Sequence, residues 1–163
     1  MAHHPLTGIL LAGGASTRFG SPKELAQYDG ETLGDRAWRL LGEACVERIR
    51  VGPGGVDDPG TGPVAAIAAG LRAASHEIAV VIPVDMPRLT VAALHELAAA
   101  CRDAAVGQDG PLPCAVALRT LPAFETDERR LRTILDGLET ASVRLPEEVL
   151  ANVNDRDDLQ RLE

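Results

Sequence analysis

Lys23 and Arg18 follow the run Leu11-Ala12-Gly13-Gly14-Ala15-Ser16-Thr17, where an apolar strand opens abruptly into glycine. With no side chains in the way, backbone N–H groups of such a turn can reach a phosphate. Arg18 would add a planar fork and Lys23 a movable point charge, suited to a triphosphate. The bland alternative is an ordinary strand-to-helix turn. The spacing is not a Walker A loop, because Gly20 is followed by Ser21-Pro22-Lys23, and it is not a dinucleotide fingerprint either. Gly60-Thr61-Gly62-Pro63-Val64-Ala65 matches the looser dinucleotide form, but Asp57-Asp58-Pro59 precedes it where a strand is required.

Asp85 is the second candidate. It stands just past the apolar run Ile78–Ile82, at the strand end where open α/β sheets bind ligands. A carboxylate there, near a phosphate loop, is a natural Mg²⁺ ligand, since Mg²⁺ takes few protein oxygens beside phosphates and water. Its competing role is to cap the turn made by Met86-Pro87. Asp57-Asp58 with Gly62-Pro63 form a third group, at the head of a helix whose N-terminus could meet an anion; either carboxylate could serve, or both could be solvated turn residues. Asn152 and Asn154 are the fourth, alternate positions of an extended segment that would point the same way. His76 and His95 lack ligand spacing and read as surface residues.

The elements that must position these groups alternate between strand and helix, as in βαβ units around a mostly parallel sheet. Gly8–Ala12 reads as a buried first strand, 32–43 as a helix, 48–51 as a short strand and 63–74 as a helix with Pro in its first turn. Thr90 is the expected N-cap of a helix reaching Cys101. A strand is expected over 114–118, a helix over 129–138, a short edge strand over 142–145 and a last helix capped by Asp155. The glycine-rich stretch 52–62 can only be a loop.

Composition narrows the function. The 163 residues suit one domain, 1–163, and 45% hydrophobic content is that of an ordinary globular chain. A net charge of −8 with no cluster of Lys and Arg argues against nucleic acid as a partner. No apolar stretch is long enough to span a bilayer, and the start reads as a strand rather than a secretion signal, so no membrane partner and a cytoplasmic location are expected. Cys45, Cys101 and Cys114 are odd in number and lack C-x-x-C spacing, which fits free buried thiols.

Taken together, LAGGASTRFGSPK at 11–23, GPVAAIAAGL at 62–71, VIPVDMPRL at 81–89 and NVNDRDDLQRL at 152–162 resemble the MobA-like nucleotidyltransferases, in that family's order and nearly end to end. The resemblance implies an α/β, Rossmann-like three-layer sandwich with a mostly parallel sheet, of the nucleotide-diphospho-sugar transferase type. It implies transfer of GMP from GTP to the phosphate of molybdopterin with release of pyrophosphate. By motif position, Leu11, Ala12, Gly13 and Gly14 would hold the nucleotide and Lys23 its phosphates. Asp58, with Gly62 and Pro63, would lie beside the nucleotide. Asp85 would bind Mg²⁺, with Asn154 or Asn152 as a second polar group, and Arg18, Lys23 and Asp85 would carry catalysis. Related cytidylyltransferases resemble this pattern but carry Ala at the place of Gly13, which favours guanine.

The chain departs from the family where a further helix and strand usually stand between 51 and 63, at Pro22 where Asp is common, and at Ala66 where Gly is usual. Another phosphorylated acceptor, or a shortened inactive homologue that binds a nucleotide or a partner, are the competing expectations. The short 103–150 region leaves room for an accessory protein or a second copy to complete an acceptor pocket.

Overall fold

The computed structural model describes residues 4–13 and 22–162. Its centre is a six-stranded sheet made from β1 (Leu6–Leu11), β4 (Glu47–Val51), β5 (Ile78–Pro83), β6 (Ala104–Val106), β7 (Cys114–Ala117) and β8 (Thr140–Ser142), in the order β4-β1-β5-β7-β6-β8. β1 runs parallel to β4 and β5, β6 runs parallel to β8, and β7 is antiparallel to both of its neighbours. A separate hairpin, β2 (Gln27–Tyr28) and β3 (Glu31–Thr32), turns through Asp29 and Gly30, both at positive φ. That is the geometry a two-residue hairpin turn requires.

Helix α1 (Leu33–Ala44) connects β1 to β4, and α2 (Pro63–Ala73) then crosses back over β1 to reach β5. Right-handed crossovers in opposite directions must lie on opposite faces of the sheet. The two cores show this. Leu10 of β1 packs with Ala37 and Leu41 of α1 and with Leu94 and Leu97 of α3 (Val91–Ala100). Ile9 packs on the other face with Val64, Ile67 and Leu71 of α2, and with Phe124 and Leu135 from the short helices α4 (Leu121–Phe124) and α5 (Leu131–Asp136). The result is the three-layer α/β sandwich that the family resemblance implied, around the mostly parallel sheet expected from the alternating pattern. Among the described residues, no helix is long and apolar enough to cross a membrane.

Most of the expected elements occur within one or two residues of the expected bounds. Thr32 caps α1 by accepting from Asp35 N, and Thr90 caps α3 by accepting from Ala93 N. Asp155 caps the final helix α6 (Arg156–Leu162) through Asp158 N at 2.9 Å. Three expectations need correction. The edge strand is Thr140–Ser142 rather than 142–145, because Val143 N donates to Val106 O and Leu145 turns inward, its backbone bridged by the Gln108 amide. The helix expected over 129–138 is confined to Leu131–Asp136, since Arg130 is extended and Gly137 ends it. His95 is not a free surface residue, for its ring reaches the Ala44 carbonyl at 3.0 Å and closes the C-terminus of α1. The three thiols are free as expected, but only Cys114 is fully buried, Cys45 and Cys101 being partly so. Burial pushes Cys45 and Cys114 up to about 12 and Cys101 to about 11, which keeps all three as thiols at neutral pH.

At the start of β4 the Glu47 carboxylate accepts from Thr7 Oγ1 at 2.6 Å and from Ser75 N at 2.8 Å. The Thr7 bond is the largest cause holding its pKa below the ordinary 4.5. A carboxyl depressed in the folded state stabilises the fold above its unfolded pKa and loses that contribution as pH falls through the folded value. Glu47→Gln should therefore flatten the fall of Tm below about pH 4.5, read by thermal melts at stepped pH. A mutant curve parallel to wild type would remove this role. Leu10 is fully buried, so Leu10→Ala should cost about 2–5 kcal/mol in urea unfolding.

Candidate active site at the strand ends

The register levels three strand ends. Leu11 is paired with Val51 on one side and with Pro83 on the other. The segments leaving these strands therefore emerge at the same edge: Ala12-Gly13 from β1, the loop from Gly52, and Val84-Asp85 from β5. The chain order reverses at β1, so these segments enclose a crevice at the switch point. It is a cleft of about 360 Å³, walled by Leu11, Ala12 and Gly13 on one side and Lys23, Asp58 and Asp85 on the others. Gly62, Pro63 and Ala66 bring the N-terminus of α2 to its rim.

The glycine contacts explain how the wall is built. Gly52 has φ 129°, and a Cβ there would meet Gly13 N at 2.6 Å. Only glycine can hold that conformation while the two turns pack backbone to backbone. Ala12 N donates to Val51 O, and Gly52 N to Val56 O, which folds the loop back beneath the cleft. Gly13 in turn lies under Asp58: a Cβ on Gly13 would stand 2.0 Å from Asp58 Oδ2. The other carboxylate oxygen of Asp58 accepts from Gly60 N at 2.8 Å, so the side chain is held in place from its own loop. Asp58 lines the cleft, and neighbouring Asp57 is exposed and does not.

Lys23 stands in a short 3-10 turn, Lys23–Leu25, and its Nζ lies 3.4 Å from Asp85 Oδ2. The other oxygen, Asp85 Oδ1, is buried with no hydrogen-bond partner among the described residues. A buried acceptor left in that state costs on the order of 1–3 kcal/mol, so it is a position where a cation or a donor would be stabilised. The α2 N-terminus supplies the complementary feature. Its cap is Gly62, its first residue is Pro63, and no acidic side chain stands in its first turn. With no side-chain cap on its first turn, the N–H groups and the helix dipole there favour an anion. One cleft thus offers a cationic side chain, a positive helix end and carboxylates that could share a cation.

Of the expected site residues, the fold brings Leu11, Ala12, Gly13, Lys23, Asp58, Gly62, Pro63 and Asp85 together. Gly14 and Arg18 lie outside the described residues. Asn152 and Asn154 are exposed, on either side of buried Val153, whose N–H donates to the Asp85 carbonyl at 2.8 Å. The segment is thereby beside Asp85, while neither asparagine is among the residues lining the cleft. Asn154 N bonds the Asp158 carboxylate. Among the described residues, no group of three or more His, Cys, Asp or Glu side chains gathers as a metal site.

Sequence reasoning passed over Glu24, which also lines the cleft and pairs with Arg50 at 3.2 Å, and over Leu112, which arrives from the far side of the sheet. Adjacency to Lys23 was a signal for the first; nothing local marked the second. The contact between Gly13 and Asp58 yields a coupling. Gly13→Ala should destabilise by about 1–3 kcal/mol through overpacking, and Asp58→Ala in the same chain should recover most of that loss. A double-mutant cycle by chemical denaturation measures it, and strict additivity would mean that the two residues do not touch in solution.

The chain is similar to known proteins along nearly its whole length. Residues 8–149 match the MobA-like NTP transferase domain. The molybdenum cofactor guanylyltransferase of Xanthomonas euvesicatoria pv. vesicatoria is 33% identical, over 83% of this chain and 80% of that protein. A probable molybdenum cofactor guanylyltransferase of Deinococcus radiodurans is 34% identical, over 97% and 94% of the two chains. Among solved structures, molybdopterin-guanine dinucleotide biosynthesis protein A from Archaeoglobus fulgidus superposes with a TM-score of 0.76 at 22% identity, covering 96% of both chains. With the cleft built at its sheet switch point, this chain belongs to the MobA-like NTP transferase family.

Proposed function

We propose that the chain is a guanylyltransferase of molybdenum cofactor biosynthesis, moving GMP from GTP to the phosphate of molybdopterin and releasing pyrophosphate. The observation that carries the reading is the pairing of Lys23 with Asp85, whose second oxygen is buried and unsatisfied, inside the cleft beneath the α2 N-terminus. Family membership and the names of the relatives support the donor and the acceptor.

In the transfer, an oxygen of the acceptor phosphate bonds to the α-phosphorus of GTP, and the α–β bridging bond breaks. Such reactions ask the protein for positioning and charge neutralisation rather than a covalent intermediate. Lys23 would neutralise the phosphates, and Arg18 is proposed to assist. Leu11, Ala12 and Gly13, with Gly14 after them, would hold the base, and Asp58 the nucleoside at its side. Gly62 and Pro63 would present the first turn of α2 to the phosphates. Mg²⁺ fits Asp85, because an anionic oxygen without a partner in a phosphate cleft suits a hard cation that keeps most of its other ligands as phosphate and water. Held there, it would withdraw charge from the reacting phosphates. Asn154 or Asn152 would need to turn toward Asp85 to share it.

Two measurements test the reading. Asp85→Asn should fold as wild type and lose roughly 100-fold or more in GMP transfer, measured as pyrophosphate release with molybdopterin present. Near-normal turnover would refute the role of Asp85. Calorimetric titration with GTP, CTP and ATP, each with and without Mg²⁺, should show metal-dependent binding selective for GTP. Binding without selectivity would point to another donor and acceptor, and no binding would leave a shortened homologue without transferase activity.

A further inference from the structure

The turn that carries Asp85 runs from the end of β5 at Pro83 to the Thr90 cap of α3, and it must be held by contacts from elsewhere. Two of its carbonyls are held from other elements. Asp85 O accepts from Val153 N, and Pro87 O accepts from Arg36 Nε at 2.6 Å. Arg36 projects from α1, a twelve-residue helix packed on the sheet, so this second anchor leads directly to the core.

Arg36 is itself fixed on two more sides. Its Nη1 lies 3.3 Å from Glu31 Oε1, and its guanidinium sits 4.9 Å from the centre of the Tyr28 ring. Tyr28 is 6% exposed, and its hydroxyl accepts from Arg88 Nε at 3.2 Å. The same hydroxyl donates to Leu162 O, which Arg88 also bonds. The β2–β3 hairpin, the Asp85 turn and the C-terminal helix therefore meet on one chain of contacts, Arg36–Tyr28–Arg88, with Arg36 as its link to α1.

We infer that Arg36 is a positioning residue for Asp85, acting through the Pro87 carbonyl to hold the turn that places the Asp85 carboxylate at the cleft wall. This role rests on the reading of Asp85 as the metal-binding carboxylate. Pro87 has no N–H with which to anchor its own peptide, so the carbonyl is the handle available there. Groups bonded directly to a metal ligand commonly change metal affinity by about 10–100-fold when removed, and Arg36 acts from two residues further along the turn, which sets the lower end of that range. Arg39 is the internal control. Among the described residues it bonds the same Glu31 and also Glu43 rather than the turn.

The test is Mn²⁺ binding in the presence of GTP, followed by the loss of free Mn²⁺ signal in electron paramagnetic resonance, with kinetics and thermal melts alongside. Arg36→Ala should weaken Mn²⁺ binding about 10-fold and lower kcat with little change in the KM for GTP. Arg39→Ala should leave both unchanged. Arg36→Lys keeps the charge beside Glu31 and Tyr28 but not the rigid fork, so it should recover thermal stability without recovering Mn²⁺ affinity; it also decides the matter if Arg36→Ala does not fold. Equal Mn²⁺ affinity in wild type, Arg36→Lys and Arg39→Ala would overturn the positioning role. Asp85→Asn separates the two ideas. If it loses Mn²⁺ while the Arg36 variants do not, only the positioning role falls; if it binds Mn²⁺ as wild type does, the metal reading of Asp85 falls and takes this inference with it.

Discussion

The pairing of Leu11 with both Val51 and Pro83 is the constraint on which the site depends. Parallel strands in register end at the same height, and their connections must leave from one edge. α1 and α2 cross in opposite directions on opposite faces, and at such a switch point the described residues leave a crevice at that edge beside β1. A one-residue slip of β4 would turn Ile49 and Val51 out of the core and bring Arg48 and Arg50 into it, and a slip of β5 would exchange the side chains fitted to the two cores. The hydrophobic alternation that builds the two cores is thus also what holds the strand ends level.

The electrostatics of the cleft make sense only as a set. The chain carries a net charge of −8, yet the place where a triphosphate would lie has Lys23 and the α2 N-terminus. The carboxylates at the same cleft are individually restrained. Glu24 is held by Arg50, Asp58 by Gly60 N, and one oxygen of Asp85 by Lys23. Restrained carboxylates do not swing into the space an anion needs. The oxygen left over, on Asp85, is buried without a partner among the described residues, which is the observation behind the proposed metal site.

The short passage from β4 to α2 also has a physical account. β4 is an edge strand, and its two faces are closed differently. Ile49 and Val51 are buried against the α2 side. Arg48 and Arg50 stack on Trp38 at 4.4 and 5.3 Å, covering the other face with charge. A charged edge resists pairing with another strand. After Val51 the chain needs only to turn, and the bridge from Val51 to Val56 with Gly55 packed on the Arg50 carbonyl does so within a few residues.

By itself, the sequence determined the elements with strong local signals: the apolar runs of β1 and β5, the apolar face of α2 behind Pro63, and the Thr32, Thr90 and Asp155 caps. Their causes lie within a few residues of chain, so they can be read there. The motif order likewise brought Lys23, Asp58 and Asp85 into consideration before any contact was known. Asp29-Gly30 is a local turn signal too, though Gln27–Tyr28 and Glu31–Thr32 are too short to show alternation. Other features were decided only in three dimensions. The strand Ala104–Val106 is three residues long and is specified by pairing with β7 and β8 rather than by propensity. The position of Asp58 rather than Asp57 at the cleft depends on which carboxylate meets Gly13, and the contacts of Asp85 come from Lys23 and Val153, which are 62 and 68 positions away in the chain. Pairings between residues so distant in sequence leave no local pattern, because they are set by how sheet register and helix packing close the fold.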